Sequence, residues 1–220
     1  MRTRVKICGI TRPEDARAAV RLGADALGFI LWRGSQRFIE PGAAADIARA
    51  AGPFVTTVGV FVNPAADEVR SAIAAGALSL LQFHGDEPAE FCRAFGMPYI
   101  KAFSLEKSGL EKGGSEGGGE GADLLKSLAG HESAAAWMFD AHDDRLVGGT
   151  GRTFDWSRLP QKLARPLVLS GGLHAGNVAS AIRQVRPFAV DVSSGVEISK
   201  GVKDAVKIAA FMQGVRDAGQ

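Results

Sequence analysis

Eight short runs rich in β-branched and apolar residues alternate with Ala-rich segments along the chain, and this alternation is its most constraining feature. Strands that alternate with helices imply parallel pairing through right-handed crossovers. Eight such units favour closure into a single (β/α)8 TIM barrel, with a doubly wound open sheet as the alternative. The predicted strands cover residues 4–8, 25–31, 55–62, 79–83, 99–103, 136–139, 167–169 and 188–192.

Prolines mark the beginnings of several predicted helices. Proline is favourable in the first turn because its missing N–H would have no partner there. Helices are therefore predicted to begin at or near Pro13, Pro41, Pro64 and Pro88. Three more are predicted near residues 122–129, 176–185 and 203–215.

Residues 107–121 read KSGLEKGGSEGGGEG and interrupt the regular pattern. A glycine-rich, charged segment cannot pack into a core, so it is predicted to be a flexible surface loop. It is either a tolerated loop expansion or a mobile lid over the active-site face. Because periodic units continue on both sides of it, residues 1–220 are predicted to form one domain.

Charge and cysteine content exclude several classes of function. The chain has 26 Lys and Arg against 24 Asp and Glu, a net charge of +2 that does not indicate nucleic-acid binding. Its longest apolar runs have strand length and cannot cross a membrane, and charged residues interrupt any N-terminal signal pattern. Two cysteines, Cys8 and Cys92, suit reduced thiols in a cytoplasmic protein.

Cys8 and Asp140 are the candidate catalytic residues, because catalysis in α/β barrels takes place at the carboxyl ends of the strands. Cys8 ends strand one and shares its face with Lys6, so both are predicted to point inward. The thiol can act as a general base if its pKa falls toward neutrality, and a small packing residue is the alternative. Asp140 ends strand six, and is either a general acid of raised pKa or the start of an Asx turn.

Two loops near the carboxyl end resemble a phosphate cradle, since barrels often bind phosphate after strands seven and eight. Glycines there let backbone N–H groups approach an anion, although they can also be ordinary turn residues. A third glycine cluster, at residues 148–151, is either a hinged loop over the ligand or a long turn. The candidate ligand-binding residues in these segments are Gly149, Gly171, Gly172, Asp191, Ser193, Ser194 and Gly195.

Two further side chains are candidates for binding the substrate. Arg37 follows strand two and can bind a carboxylate or phosphate bidentately, unless it is simply a solvated surface residue. His84 ends strand four and is a ligand contact, an acid–base group or a satisfied interior histidine. Lys6 and Asp191 have inward parity on neighbouring strands and are predicted to pair and help orient the site.

No metal ion or cofactor is predicted. The four histidines lie far apart and lack the spacing of a zinc site. A Gly-x-Gly-x-x-Gly motif after strand one and a P-loop are both absent from the sequence, so nothing indicates a dinucleotide or a nucleoside triphosphate. The expected ligand is therefore a small phosphorylated molecule.

Six sequence blocks resemble the phosphoribosylanthranilate isomerases of tryptophan biosynthesis. They are KICGIT (6–11), VGVFVN (58–63), LQFHG (81–85), GGTGRTFDW (148–156), LSGGL (169–173) and DVSSGVE (191–197). The resemblance implies a cofactor-free Amadori rearrangement. This reaction converts N-(5-phosphoribosyl)anthranilate, an aminoaldose, into 1-(2-carboxyphenylamino)-1-deoxyribulose 5-phosphate.

The resemblance also implies residue roles. It makes Cys8 the general base, Asp140 the general acid and Arg37 the residue that binds the anthranilate carboxylate. The chain departs from the family pattern at Gln36, where proline is common, at Phe83, where leucine is commoner, and in the long 107–121 segment.

Two alternatives stay open. The aminoaldose isomerase of histidine biosynthesis performs the same rearrangement, and its barrel resembles this one. That enzyme uses an aspartate at the end of strand one, so Cys8 argues against this alternative. A non-catalytic phosphosugar-binding barrel would not need both Cys8 and Asp140. The protein is expected to be a monomer or a homodimer.

Overall fold

Eight parallel strands close into a barrel in chain order. The computed structural model describes residues 2–104, 128–140, 156, 159 and 163–219. The strands are β1 Arg4–Cys8, β2 Ala26–Ile30, β3 Thr56–Phe61, β4 Leu80–Phe83, β5 Tyr99–Ser104, β6 Ala136–Asp140, β7 Leu167–Ser170 and β8 Ala189–Val192. Because β1 pairs with both β2 and β8, the predicted TIM barrel is confirmed over the open sheet.

The helices lie where the proline signals indicate. Among the described residues the α-helices are, in order, α1 Pro13–Arg21, α2 Pro41–Ala51, α3 Ala66–Ala74, α4 Ala89–Arg93, α5 Val178–Val185 and α6 Ala205–Asp217. Pro13 and Pro41 are themselves the first helical residues, while α3 and α4 begin just after Pro64 and Pro88. The predicted helix at 122–129 falls mostly, and the 107–121 segment entirely, outside the described residues.

Alternation along the strands produces two apolar layers. Outward-facing side chains pack against the helices in the larger cluster, which includes Ile7, Phe83 and Phe139. Phe83, the departure from leucine, is fully buried and contacts the ring of Phe91 edge-on. The inward cluster is small, and its buried members are Ile100, Ala102, Ala136, Met138, Val168 and Ala189. The barrel interior therefore leaves space for polar side chains on its other strands.

The segment after β8 differs from the prediction. A 3-10 helix, Ser194–Val196, leads into an antiparallel hairpin of β9 Glu197–Ser199 and β10 Val202–Lys203. The last helix begins at Ala205 because the Asp204 side chain accepts hydrogen bonds from the N–H groups of the first turn. The helix predicted near residues 203–215 is present two residues later, and Lys203 belongs to the hairpin.

Candidate active site

Cys8 and Lys6 point into the barrel from β1, as strand parity predicted. Lys6 Nζ donates to Asp191 Oδ1 at 2.8 Å, and both side chains are buried, so the predicted pair is confirmed. A Cβ added to Gly28 on β2 would lie 2.8 Å from Cys8 Sγ and 3.0 Å from Lys6 Nζ. The Cys8 thiol and the Lys6 ammonium thus occupy the space that a side chain at position 28 would need.

The pKa of Cys8 is raised, not lowered as the base hypothesis expected. Burial raises this pKa, and it outweighs the opposing charge of Lys6. Burial also disfavours the Lys6 ammonium, but Asp191 and Cys8 more than offset this and raise the pKa of Lys6. The site therefore sets a thiol of raised pKa beside a lysine whose pKa is raised as well.

Asp140 lies at the carboxyl end of β6 and contacts a histidine from β4. His84 Nε2 is 3.2 Å from Asp140 Oδ2, and both side chains are partly exposed at the barrel mouth. On its other side, His84 Nδ1 is 3.2 Å from Nε2 of the buried Gln82. The structure thus orients His84 toward the candidate acid, while a direct contact between His84 and a substrate stays a prediction.

Arg37 is brought over the end of β1 and held by a carboxylate. Its Nε and Nη2 atoms donate to Glu197 Oε1 at 2.8 Å and Oε2 at 2.7 Å. A Cβ added to Gly9 would lie 2.6 Å from Arg37 Cδ and 3.1 Å from Ser193 Oγ. The candidate carboxylate-binding arginine therefore lies beside the residue that follows Cys8.

The loops after β7 and β8 lie against one another, as the phosphate-cradle prediction requires. Gly171 and Gly172 have φ values of +89° and +62°, a conformation that glycine adopts readily. A Cβ on Gly195 would lie 2.0 Å from the carbonyl oxygen of Leu173, so the loops touch there. Ser170 Oγ donates to Asp191 Oδ2 at 3.2 Å and joins the two strand ends. The contact at Gly195 places Ser194, its neighbour in the chain, beside the glycine loop.

One predicted residue, Gly149, lies outside the described residues together with the rest of the 148–151 cluster. Sequence reasoning also missed two residues, Glu197 and Lys203. Glu197 closes the DVSSGVE block, which was the available signal. Lys203 carried no such signal, because its importance depends on the unpredicted hairpin.

Within the described ranges, no group of three or more His, Cys, Asp or Glu side chains could hold a metal ion. None of the helices in that part of the chain is long and apolar enough to cross a membrane.

Comparison with known proteins agrees with this geometry. Residues 5–214 match the family model of N-(5'phosphoribosyl)anthranilate (PRA) isomerase. The chain belongs to this family. A relative from Nitrosomonas eutropha named N-(5'-phosphoribosyl)anthranilate isomerase is 52% identical over 216 residues, which is 98% of each chain.

Solved structures of the family share the fold. Phosphoribosyl anthranilate isomerase from Thermotoga maritima is 40% identical with a TM-score of 0.81, covering 97% of this chain and 98% of its own. A second phosphoribosyl anthranilate isomerase was solved with reduced 1-(o-carboxyphenylamino)-1-deoxyribulose 5-phosphate. It is 39% identical with a TM-score of 0.77, over 97% of this chain and 98% of that one. These matches favour the tryptophan-pathway isomerase over the histidine-pathway alternative.

Proposed function

We propose that Cys8 and Asp140 carry out the Amadori rearrangement of N-(5-phosphoribosyl)anthranilate that belongs to this family of tryptophan-pathway isomerases. The observation that supports these roles is geometric. Both residues end strands at the same mouth of the barrel, on β1 and β6. Arg37 and the loops after β7 and β8 lie at that mouth too, so a ligand there would be surrounded by all of them.

The acid step belongs to Asp140. A protonated Asp140 gives its proton to the ribose ring oxygen as the bond from that oxygen to C1 breaks, which leaves a protonated Schiff base. The contact with His84 orients the carboxyl group, and orientation of reacting groups is a large part of catalytic power.

The base step belongs to Cys8. Its thiolate removes the proton from C2 of the sugar, and the resulting enolamine tautomerises to the ketone. A thiol with a raised pKa needs help to ionise, and two nearby charges supply it: the ammonium of Lys6 and the cationic Schiff base itself. One proton is delivered and one removed, so no cofactor is required.

Substrate binding uses opposite ends of the ligand. Backbone N–H groups of the loops carrying Gly171, Gly172, Ser194 and Gly195 bind the phosphate, because glycine permits close approach of an anion. The guanidinium of Arg37 binds the anthranilate carboxylate. Asp191 and Ser193 support the cradle through Lys6 and Lys203.

We also propose the compartment, the ligand class and the assembly state of the protein. Reduced thiols and a catalytic Cys8 suit the cytoplasm. The protein acts on a small phosphorylated molecule rather than on nucleic acid, as a monomer or a homodimer. Analytical ultracentrifugation of the purified protein would distinguish the two assembly states.

The decisive experiment follows the decay of anthranilate fluorescence on freshly generated substrate. Cys8→Ala and Asp140→Asn should each lower kcat by about 10²–10⁴-fold, the usual contribution of a positioned acid or base. Wild-type turnover retained by both variants would overturn the assigned roles. Faster turnover of the histidine-pathway aminoaldose than of the anthranilate substrate would overturn the substrate assignment.

A further inference from the structure

We infer that Glu197 is a positioning residue for substrate recognition: it orients Arg37 and, through Lys203, ties that arginine to the loop after β8. This rests on the proposed function, because Arg37 is the group that would bind the anthranilate carboxylate. None of the proposed acid, base or phosphate-binding roles uses Glu197, and Lys203 enters them only through its contact with Ser193.

Glu197 holds Arg37 in one orientation through two hydrogen bonds. It is buried at the start of β9, and its two carboxylate oxygens accept one hydrogen bond each from Nε and Nη2. Bidentate pairs of this kind fix the plane of the guanidinium as well as its position. The Arg37 side chain is 19% exposed, so it is held yet reachable.

The pairing also decides which edge of Arg37 a ligand can use. A guanidinium has two edges that match a carboxylate, and Glu197 occupies the one formed by Nε and Nη2. The edge formed by Nη1 and Nη2 remains for an incoming carboxylate. Glu197 therefore selects the approach direction of the substrate instead of competing with it.

Lys203 extends this arrangement to the phosphate side. Its buried Nζ donates to Glu197 Oε1 at 2.8 Å and to both the carbonyl and the hydroxyl oxygen of Ser193 at 3.3 Å. Its backbone N–H donates to Asp15 Oδ2 at 2.9 Å, which anchors the hairpin to α1. One carboxylate thus links the arginine after β2 to the serine loop after β8.

Charge explains why a glutamate is needed at this position. Burial alone would raise the pKa of Glu197, but hydrogen bonds and charge from Arg37 and Lys203 lower it, so the carboxylate stays ionised. Without that charge, two cations would face each other in a buried space. Arg37 would then lose the carboxylate that accepts from its Nε and Nη2 atoms.

The test is the kinetics of Glu197→Gln, which keeps the shape but removes the charge. We expect KM to rise roughly 10- to 100-fold, the scale of a small misplacement of a substrate-holding group, with kcat changed less than about threefold. Glu197→Asp, which keeps the charge, should restore part of the loss. Glu40→Gln is the matched control, because Glu40 also pairs with an arginine, Arg33 at 2.8 Å, but on the surface. It should leave both constants unchanged.

A double-mutant cycle separates positioning from a purely structural effect. If Glu197 acts through Arg37, adding Glu197→Gln to Arg37→Ala should raise KM by less than about twofold further. Additive effects, or an unchanged or lower KM in folded Glu197→Gln, would overturn the inference. If Glu197→Gln does not fold, as circular dichroism would reveal, the same comparison is made with Glu197→Asp. Its smaller rise in KM should likewise disappear beside Arg37→Ala.

The outcome is distinguishable from failure of the proposed function. A wild-type protein without isomerase activity would contradict the proposed function itself. An active wild type whose KM is insensitive to Arg37→Ala would leave the isomerase intact but overturn both the role of Arg37 and the inference about Glu197.

Discussion

At the scale of single residues, the place of the Cys8 thiol depends on the side chain that Gly28 lacks. Gly28 provides the space for Cys8 Sγ and Lys6 Nζ, because a Cβ there would lie within 3.0 Å of both atoms. Burial then raises the pKa of the thiol, and the charge of Lys6 is the largest influence that opposes this rise. The position and the pKa of the Cys8 thiol thus depend on Gly28 of β2 and on Lys6 of β1.

Gly28→Ala should reduce catalysis more than folding. The new Cβ would displace the thiol, and a shift of about 1 Å costs up to roughly 100-fold in rate. We expect kcat to fall about 10- to 100-fold, measured by anthranilate fluorescence. Gly42→Ala in α2 is the control, since nothing lies within 4 Å of its Cβ. It should leave kcat unchanged, and an equal loss in both variants would contradict this account.

The pH dependence of kcat/KM should report the thiol. Cys8 must lose a proton to act as a base, and burial raises its pKa above the ordinary 9.0. In Asp140→Asn, whose residual activity no longer depends on a titrating acid, kcat/KM should therefore increase with pH from about 7 to at least about 9. Lys6→Gln should move this rise to still higher pH because it removes the charge that favours the thiolate. A shift to lower pH would show that Lys6 does not assist ionisation.

At the scale of elements, the pairing of β1 with β8 matters for both the closed barrel and the candidate site. Lys6 and Asp191 are direct register partners across it. Their ion pair is buried, so it contributes little net stability as a pair but is costly to break. The chain after β8 then forms the β9–β10 hairpin, which brings Glu197 into contact with Arg37.

Asp191→Asn should destabilise the barrel at this seam. Removing one partner of a buried ion pair leaves the Lys6 charge uncompensated, which typically costs about 3–5 kcal/mol. The free energy of unfolding from urea titration would measure the loss. Asp217→Asn, at an exposed site on α6, should change it by less than about 0.5 kcal/mol. A similar small change for Asp191→Asn would contradict the role of the pair.

At the scale of the whole molecule, acid stability should depend on a histidine far from Cys8. His131 is buried between Tyr99 and Phe103, and burial lowers its pKa from 6.5 to about 4. The unfolded chain binds the proton below about pH 6.5 while the folded one does not, so stability falls as pH decreases from 6.5 to 4.

His131→Phe should flatten this pH dependence. The histidine can account for up to about 3 kcal/mol between the two pH limits. The difference in unfolding free energy between pH 7 and pH 4.5 should therefore be smaller in the variant than in the wild type. His174→Phe, at an exposed histidine, is the control and should keep the wild-type slope. Equal slopes in all three proteins would contradict the prediction.

Much of the fold and part of the candidate site could be predicted because they depend on local signals. Strand alternation and proline positions located the eight strands and most of the helices within a few residues. Parity placed Cys8 and Lys6 inside, and the adjacency of strands one and eight in a closed barrel made Asp191 the predicted partner of Lys6. The hairpin after β8 was not predicted because its strands are very short. The helical pattern of the last helix also extends back past its N-cap, Asp204, to Lys203, which belongs to the hairpin.

The sequence by itself therefore determined the order of elements, the parallel α/β class and the polar residues that end its strands, while the pairing of β1 with β8 decided closure. These properties follow from side-chain periodicity and chain connectivity, which are local. Only the tertiary structure decided that Arg37 meets Glu197, 160 residues away, that His84 faces Asp140, and that the Cys8 pKa is raised. These depend on distance and desolvation, which arise only when remote strands come together.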